Sequence, residues 1–356
     1  MGNRFTCMSK KDVKNVGIGS KSKRGIGSMS KRKSSMEEEL LHKQALAMAI
    51  QQHQLSQRFD NNGSLSRRIG STSRRRAASL SDPFSSGTAT KRLPEFLESL
   101  KTKKFVLVHG EGFGAWCWYK TIALLEENGL SPVALDLTGS GINLAETKDV
   151  TTLAVYSKPL LNYLESLPED DEVILVGHSG GGACVSYALE RFGQKISKAV
   201  YLCAAMISDG QRALDVFADE LSEFSDLFSP GSKSLIYGNG EENPPTGFMF
   251  EKHHLQGLYF NQSPSKDVAL AMVSMRPIPL GPMMEKLSLS GEKYAGGRRF
   301  YVQTLEDQAL SPDVQERLVR ENPCEGVFKI KGSDHCPFFS KPQALHKILL
   351  EIAHIP

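Results

Sequence analysis

Val173-Ile174-Leu175-Val176-Gly177-His178-Ser179-Gly180-Gly181-Gly182 is the stretch that decides how this chain folds. An apolar, strand-forming run leads into a Gly-x-Ser-x-Gly pattern, and a helix-forming segment, residues 183–192, follows at once. Strand, tight turn and helix in that order hold the central serine in a strained backbone conformation that lifts its hydroxyl clear of the sheet. Glycines on either side let strand and helix approach closely. Ser179 is therefore the candidate nucleophile. The five-residue pattern alone also describes an ordinary glycine-rich turn, and the flanking strand and helix favour the catalytic reading. A nucleophilic serine needs a base, an acid to orient that base, and donors for a developing oxyanion.

Working outward, Lys104-Phe105-Val106-Leu107-Val108 reads as a buried strand, and His109 to Gly114 as a glycine-rich loop opening a helix through Leu125. Residues 131–137 read as a second strand, 151–167 as helical, 172–176 as the strand before the serine, and 198–202 as another. Strands alternating with helices imply a mostly parallel central sheet with helices on both faces. Reacting groups in such sheets collect at the carboxyl ends of the strands. The loop after the first strand can therefore face Ser179. Its Glu111 N–H and the N–H of Gly180 are assigned as the oxyanion hole. The Glu111 side chain is expected to point to solvent.

Downstream, Arg299-Phe300-Tyr301-Val302-Gln303-Thr304 forms a late strand with Asp307 just beyond it, and Val327-Phe328-Lys329-Ile330 a last strand that leads to His335. Ser179, Asp307 and His335 run in the order nucleophile, acid, histidine, which is that of the α/β-hydrolase triad. His335 takes the serine proton while Asp307 fixes the ring. Asp136, Glu306 and Asp334 compete for the acid's part. Asp334, adjacent to His335, points away from it in an extended turn and is placed to cap the next helix. His178 reads as a packed neighbour.

Between residues 208 and 297 the alternation stops. Residues 213–228 read as helical, 235–249 as a Gly- and Pro-rich excursion, and 262–275 and 282–289 as short helical pieces. An insertion here forms a lid over the carboxyl-end face. Phe217, Phe224, Phe228, Phe248, Met249, Phe250, Leu258, Tyr259, Met272 and Met275 are its candidates for lining a pocket or for packing the lid onto the body.

The net charge of +3 over 356 residues conceals a division: residues 1–92 carry 19 basic and 6 acidic residues (+13), and the remainder 24 and 34 (−10). The arm over 1–92 is rich in Ser, Arg, Lys and Gly, and disorder is expected apart from one helix near 37–57. The body is expected over 103–356. Up to Met36 the arm has a transit peptide's composition, with a single acid, Asp12. Met1-Gly2-Asn3-Arg4-Phe5-Thr6 also fits N-myristoylation of Gly2, with Cys7 open to palmitoylation and peripheral membrane contact through the basic arm. Arg74-Arg75-Arg76-Ala77-Ala78-Ser79 resembles a basic-directed kinase site. No aromatics are interleaved to stack bases, which argues against nucleic acid as a partner. Six scattered cysteines without CxxC spacing argue for reduced thiols in an intracellular compartment.

From Phe105 to the C-terminus the chain resembles the plant methylesterase family, α/β-hydrolases related to the salicylic-acid-binding esterase and the plant hydroxynitrile lyases. The resemblance rests on Phe105-Val106-Leu107-Val108-His109-Gly110, Gly114-Ala115-Trp116-Cys117-Trp118-Tyr119-Lys120 and the serine motif. Thr304-Leu305-Glu306-Asp307, Lys331-Gly332-Ser333-Asp334-His335 and Leu350-Glu351-Ile352-Ala353-His354 complete it. It implies the α/β-hydrolase fold with a lid insertion, hydrolysis of small methyl esters of plant hormone acids, and the triad Ser179, Asp307, His335. Some members carry chloroplast transit peptides, which favours the chloroplast over a membrane-anchored or cytoplasmic location.

Two positions depart from the family's usual Leu after the nucleophile and small residue after the first loop glycine: here they are Gly180 and Glu111. Pocket shape and substrate are therefore not carried over. The lyase relatives have Thr at the position of Gly110 and Lys at that of Cys336, so cyanohydrin cleavage lacks its hydroxyl and its cation. Ester hydrolysis through an acyl-enzyme requires no metal or organic cofactor. The competing reading is a hydrolase scaffold that binds a small hormone-like ligand with negligible turnover, and a homodimer is open in either case.

Overall fold

A computed structural model describes residues 100–218 and 233–356. The arm, with its expected helix and its acylation and phosphorylation motifs, lies outside the described residues, as do Phe224 and Phe228. The described strands are β1 (Lys104–Val108), β2 (Ser131–Leu135), β3 (Val173–His178), β4 (Ile196–Leu202), β5 (Lys233–Ile236), β6 (Gly247–Phe250), β7 (Ile278–Pro279), β8 (Arg299–Thr304) and β9 (Gly326–Ile330). The described helices of eight residues or more are α1 (Tyr119–Glu127), α2 (Lys158–Ser166), α3 (Gly181–Phe192), α4 (Lys252–Tyr259), α5 (Ser265–Ser274), α6 (Pro312–Glu321) and α7 (Pro342–His354). None of the described helices is long and apolar enough to cross a membrane.

Six strands make one sheet in the order β2-β1-β3-β4-β8-β9, every neighbouring pair parallel. All six residues of β3 are buried, the pattern of a strand covered on both faces. At the β9 edge Val327 and Lys329 are exposed while Ile330 is buried. Successive strand residues point to opposite faces. Leu175, Ala199, Tyr201 and Tyr301 thus join one apolar layer with Leu160 and Leu164 of α2, Val185 and Leu189 of α3, and Leu318 of α6. Phe105, Ile174, Val200 and Phe300 join another with Leu125 of α1 and Leu345, Leu349 and Ile352 of α7. Each buried Leu, Ile, Val or Phe among them contributes about 1.5–3 kcal/mol relative to exposure. Half-exposed ion pairs such as Arg298–Glu325 are worth roughly 0–1 kcal/mol. The layers hold the sheet.

The helix expected over 151–167 is two. One turn, Leu153–Tyr156, is capped by the Thr152 hydroxyl accepting from Val155 N (3.2 Å), and α2 restarts with Pro159 in its first turn, where a missing N–H costs nothing. The expected irregular excursion at 235–249 contains part of a three-stranded antiparallel sheet, β5-β6-β7. Its strands are too short to announce themselves beside Gly238, Gly240, Pro244 and Pro245; burial of Phe248 (2 % exposed) holds them instead. Over 282–289 the helix is a single turn, Gly281–Met284. Leu287 and Leu289 run on as irregular chain, their N–H groups donating to Gln211 O (3.0 Å) and Asp209 Oδ1 (2.8 Å).

The order of strands places the site. From β1 the chain steps one way to β2, and from β3 the other way to β4, so the loops leaving β1 and β3 open a crevice at their carboxyl ends.

Candidate active site

Ser179 sits between β3 and α3 with φ +52°, a left-handed conformation that costs an L-residue about 1–2 kcal/mol. Its backbone is held there from both sides: its N–H donates to Leu202 O (3.3 Å), and its carbonyl accepts from Gly182 N (3.0 Å) and Ala205 N (2.9 Å). The glycines answer to space. A Cβ on Gly177 would stand 2.5 Å from Val185 Cγ2, and one on Gly181 2.5 Å from the His109 carbonyl oxygen.

On one side of the hydroxyl lies His335, whose Nε2 is 2.8 Å from Ser179 Oγ and whose Nδ1 donates to Asp307 Oδ2 (2.9 Å). All three side chains are buried. Asp307 is held from several directions. Oδ2 also accepts from Thr304 Oγ1 (2.8 Å) and Gln315 Nε2 (3.3 Å), and Oδ1 from Ala309 N and Leu310 N (2.8 Å each). Burial pulls the His335 imidazole down, but the charge and hydrogen bond of Asp307, with smaller help from Glu111 and Asp334, leave it above its ordinary value. His178 packs against the ring (centroids 4.7 Å apart), its Nε2 donating to His335 O (2.7 Å).

The rival acids do other things. Asp136 accepts from Ala115 N (2.7 Å), and the exposed Glu306 makes a backbone bond to Ser333 O. Asp334 Oδ1 accepts from Cys336 N (3.0 Å), and its Oδ2 accepts from Gln262 N (2.9 Å) and Ser263 Oγ (2.7 Å), which ties the insertion to the histidine loop. That tether stands in place of the helix cap expected of it: the next helix, Pro337–Ser340, has Cys336 at its N-cap and no side-chain cap.

The other side of the hydroxyl corrects an expectation. The Glu111 side chain does not point to solvent: the residue is 7 % exposed, and its carboxylate lies against the serine. Oε1 accepts from Ser179 Oγ (3.0 Å) and Tyr259 Oη (3.3 Å), and Oε2 from Gly180 N (2.7 Å). One of the two N–H groups assigned to the oxyanion hole thus already donates to a carboxylate of the chain itself. Three donors, on Ser179, Gly180 and Tyr259, hold it there.

Beside Gly180 a narrow apolar cleft of about 20 Å³ is lined by Glu111, Leu153, Tyr156, Ala213, Ile278 and Met283, among others. Of the residues singled out in the insertion, Tyr259 reaches the site, its ring 4.8 Å from that of His335, while Met249, Phe250, Met272 and Met275 line a separate cleft. Leu153 and Tyr156 escaped the sequence reading because they lie outside the insertion, and Ala213 because a small side chain gives no signal beside Phe217. Gln315, which braces Asp307, carried no signal at all on an amphipathic helix. At position 110 a Cβ would stand 2.8 Å from both His178 Nδ1 and Ser179 Cβ, so there is no room for the lyase threonine. Burial pushes the Cys336 thiol well up, and no cation stands there. His178, Cys203 and His335 bring ligand-type atoms within 4.8 Å of one another, but His178 and Cys203 are spent on the His335 carbonyl.

Comparison with known proteins agrees with this architecture. The family model for the alpha/beta hydrolase family matches residues 105–348. The chain is 68 % identical over 358 residues, covering 100 % of both chains, to putative methylesterase 12, chloroplastic, of Arabidopsis thaliana. Among solved structures, a methylesterase from Arabidopsis, 34 % identical, superposes with a TM-score of 0.64 over 71 % of this chain and 99 % of that one. Polyneuridine aldehyde esterase, 31 % identical, superposes with a TM-score of 0.64 over 71 % of this chain and 100 % of that one.

Proposed function

The chain belongs to the alpha/beta hydrolase family and within it to the plant methylesterases, and from that premise we propose that it hydrolyses small methyl carboxylic esters. Methyl esters of plant hormone acids are the class the resemblance implies. The unbroken buried line of hydrogen bonds from Asp307 through His335 to Ser179 carries the reading. His335 Nε2 takes the hydroxyl proton as Ser179 Oγ attacks the ester carbonyl, and Asp307 steadies the imidazolium. The oxyanion is received by the N–H groups of Glu111 and Gly180. Methanol leaves with the proton from His335; water then attacks the acyl-serine by the reverse path, and the acid departs.

Turnover of p-nitrophenyl acetate, followed by a panel of methyl esters, tests this. Ser179→Ala is expected to abolish it; turnover that survives the substitution overturns the assignment. The carboxylate in the oxyanion hole favours a second reading, a scaffold that binds a small ligand and barely turns over. Tight ligand binding without Ser179-dependent hydrolysis would establish it. The relatives' chloroplastic names and the basic, Ser-rich residues before Met36 place the protein in the chloroplast. Mass spectrometry of the mature N-terminus is expected to find a start between about Met36 and Lys91; an acylated Gly2 sinks the transit-peptide reading.

A further inference from the structure

We propose that Glu111 is a specificity-determining residue: its carboxylate occupies the oxyanion hole, and only esters that offer that carboxylate a hydrogen-bond donor or a cation are turned over well. The inference rests on the esterase reading and deepens it.

Occupation is the first observation. The Gly180 N–H that must receive the oxyanion donates to Glu111 Oε2 at 2.7 Å, while Oε1 meets the nucleophile at 3.0 Å. A substrate oxygen and this carboxylate oxygen cannot share one donor, and two negative charges cannot share one hole.

Space is the second, and it is independent. Gly180 has φ −59° and ψ −21°, an ordinary helical conformation that any residue adopts. A Cβ there would stand 2.6 Å from Glu111 Oε2, its nearest neighbour. The backbone does not demand glycine at this position; the carboxylate does. Glu111 and Gly180 are a matched pair.

The third is the proton count. Ser179 has one hydroxyl proton, yet Oγ lies within hydrogen-bond distance of both His335 Nε2 and Glu111 Oε1. With His335 Nδ1–H given to Asp307, the neutral Nε2 can only accept, so while the hydroxyl donates to Glu111 Oε1 it does not donate to His335. The base is freed when the carboxylate leaves.

Where the carboxylate goes names the substrate. It borders a cleft whose other walls, among the described residues, include Leu153, Ala213, Ile278, Pro279, Pro282 and Met283, with Tyr156 as the one further polar side chain and no cation among them. A carboxylate moved there without a partner is costly, so the ligand must bring the partner.

The test compares kcat/KM for phenylalanine methyl ester, which carries an ammonium beside the ester, with methyl 3-phenylpropanoate, which does not. Wild type is expected to prefer the amino ester by about tenfold or more. Glu111→Ala should raise turnover of the plain ester about 10- to 100-fold, within the range an oxyanion-hole donor is worth, and erase the preference. Gly180→Ala keeps the N–H and Glu111 but puts a methyl 2.6 Å from the present position of Oε2, too close for the carboxylate to stay, and should move both readouts the same way. If both variants are folded and hydrolyse the plain ester no faster than wild type, with turnover still dependent on Ser179, the inference falls and the esterase reading stands. A gain with the preference intact overturns the substrate class. Absence of Ser179-dependent turnover on both esters in all three proteins sinks the inference together with the esterase reading.

Discussion

The two sides of the Ser179 hydroxyl are built differently. On the histidine side, Asp307 is fastened by four groups besides His335, all from β8, the loop after it or α6, and His335 lies between His178 and Tyr259. On the glutamate side, a carboxylate meets the same hydroxyl with Gly180 N and Tyr259 Oη as its other partners and an apolar cleft beside it. The first arrangement is over-determined, so removing one contact leaves the rest in place. The second rests on few contacts and can be displaced. What is general to the fold resides in the rigid side, and what is particular to this chain in the loose one.

That contrast can be broken at its rigid side. Asp307→Asn keeps the shape but lets Nδ1 face a donor, which favours the wrong histidine tautomer, and kcat for a Ser179-dependent ester should fall by about 10⁴-fold. A fall of less than about tenfold would show that the acid is not needed and erase the distinction.

The two adjacent glycines sharpen it. At Gly180 an added Cβ meets the end of the Glu111 side chain, whereas at Gly181 it meets the His109 carbonyl oxygen at 2.5 Å, which is backbone. Gly181→Ala should therefore lower unfolding stability by about 1–3 kcal/mol in urea titrations, and Gly180→Ala by much less. Equal losses would mean that the glutamate side is as rigid as its neighbour.

Gln315→Ala removes one of Asp307's partners and is expected to cost about 1 kcal/mol, roughly fivefold in kcat, with KM unchanged. A loss approaching that of Asp307→Asn would show that the acid is not over-determined after all. The smallest effect is on pH. Because His335 is held above the ordinary imidazole value of about 6.5, it stays protonated to higher pH, so kcat/KM should fall as pH drops through a limb above that value. A limb below it would place the stronger influence in burial rather than in Asp307.

Much of this was legible in the residues. The unbroken apolar run of β3, the glycines flanking Ser179 and the positions of Asp307 and His335 just past two strands are local signals, readable because strands and elbows have short-range patterns. The β5-β6-β7 sheet was not, since its third strand, the two-residue β7, lies far along the chain from its hairpin. Nor was Gln315, whose place on α6 differs in no local way from that of a solvent-facing glutamine.

By itself, then, the sequence determined a parallel α/β sheet and the order in which a serine, an aspartate and a histidine leave its strands. Only the tertiary structure decided where the Glu111 side chain lies. A loop side chain turns toward whatever donors surround it, and those of Glu111, on Ser179, Gly180 and Tyr259, are 68, 69 and 148 residues away along the chain.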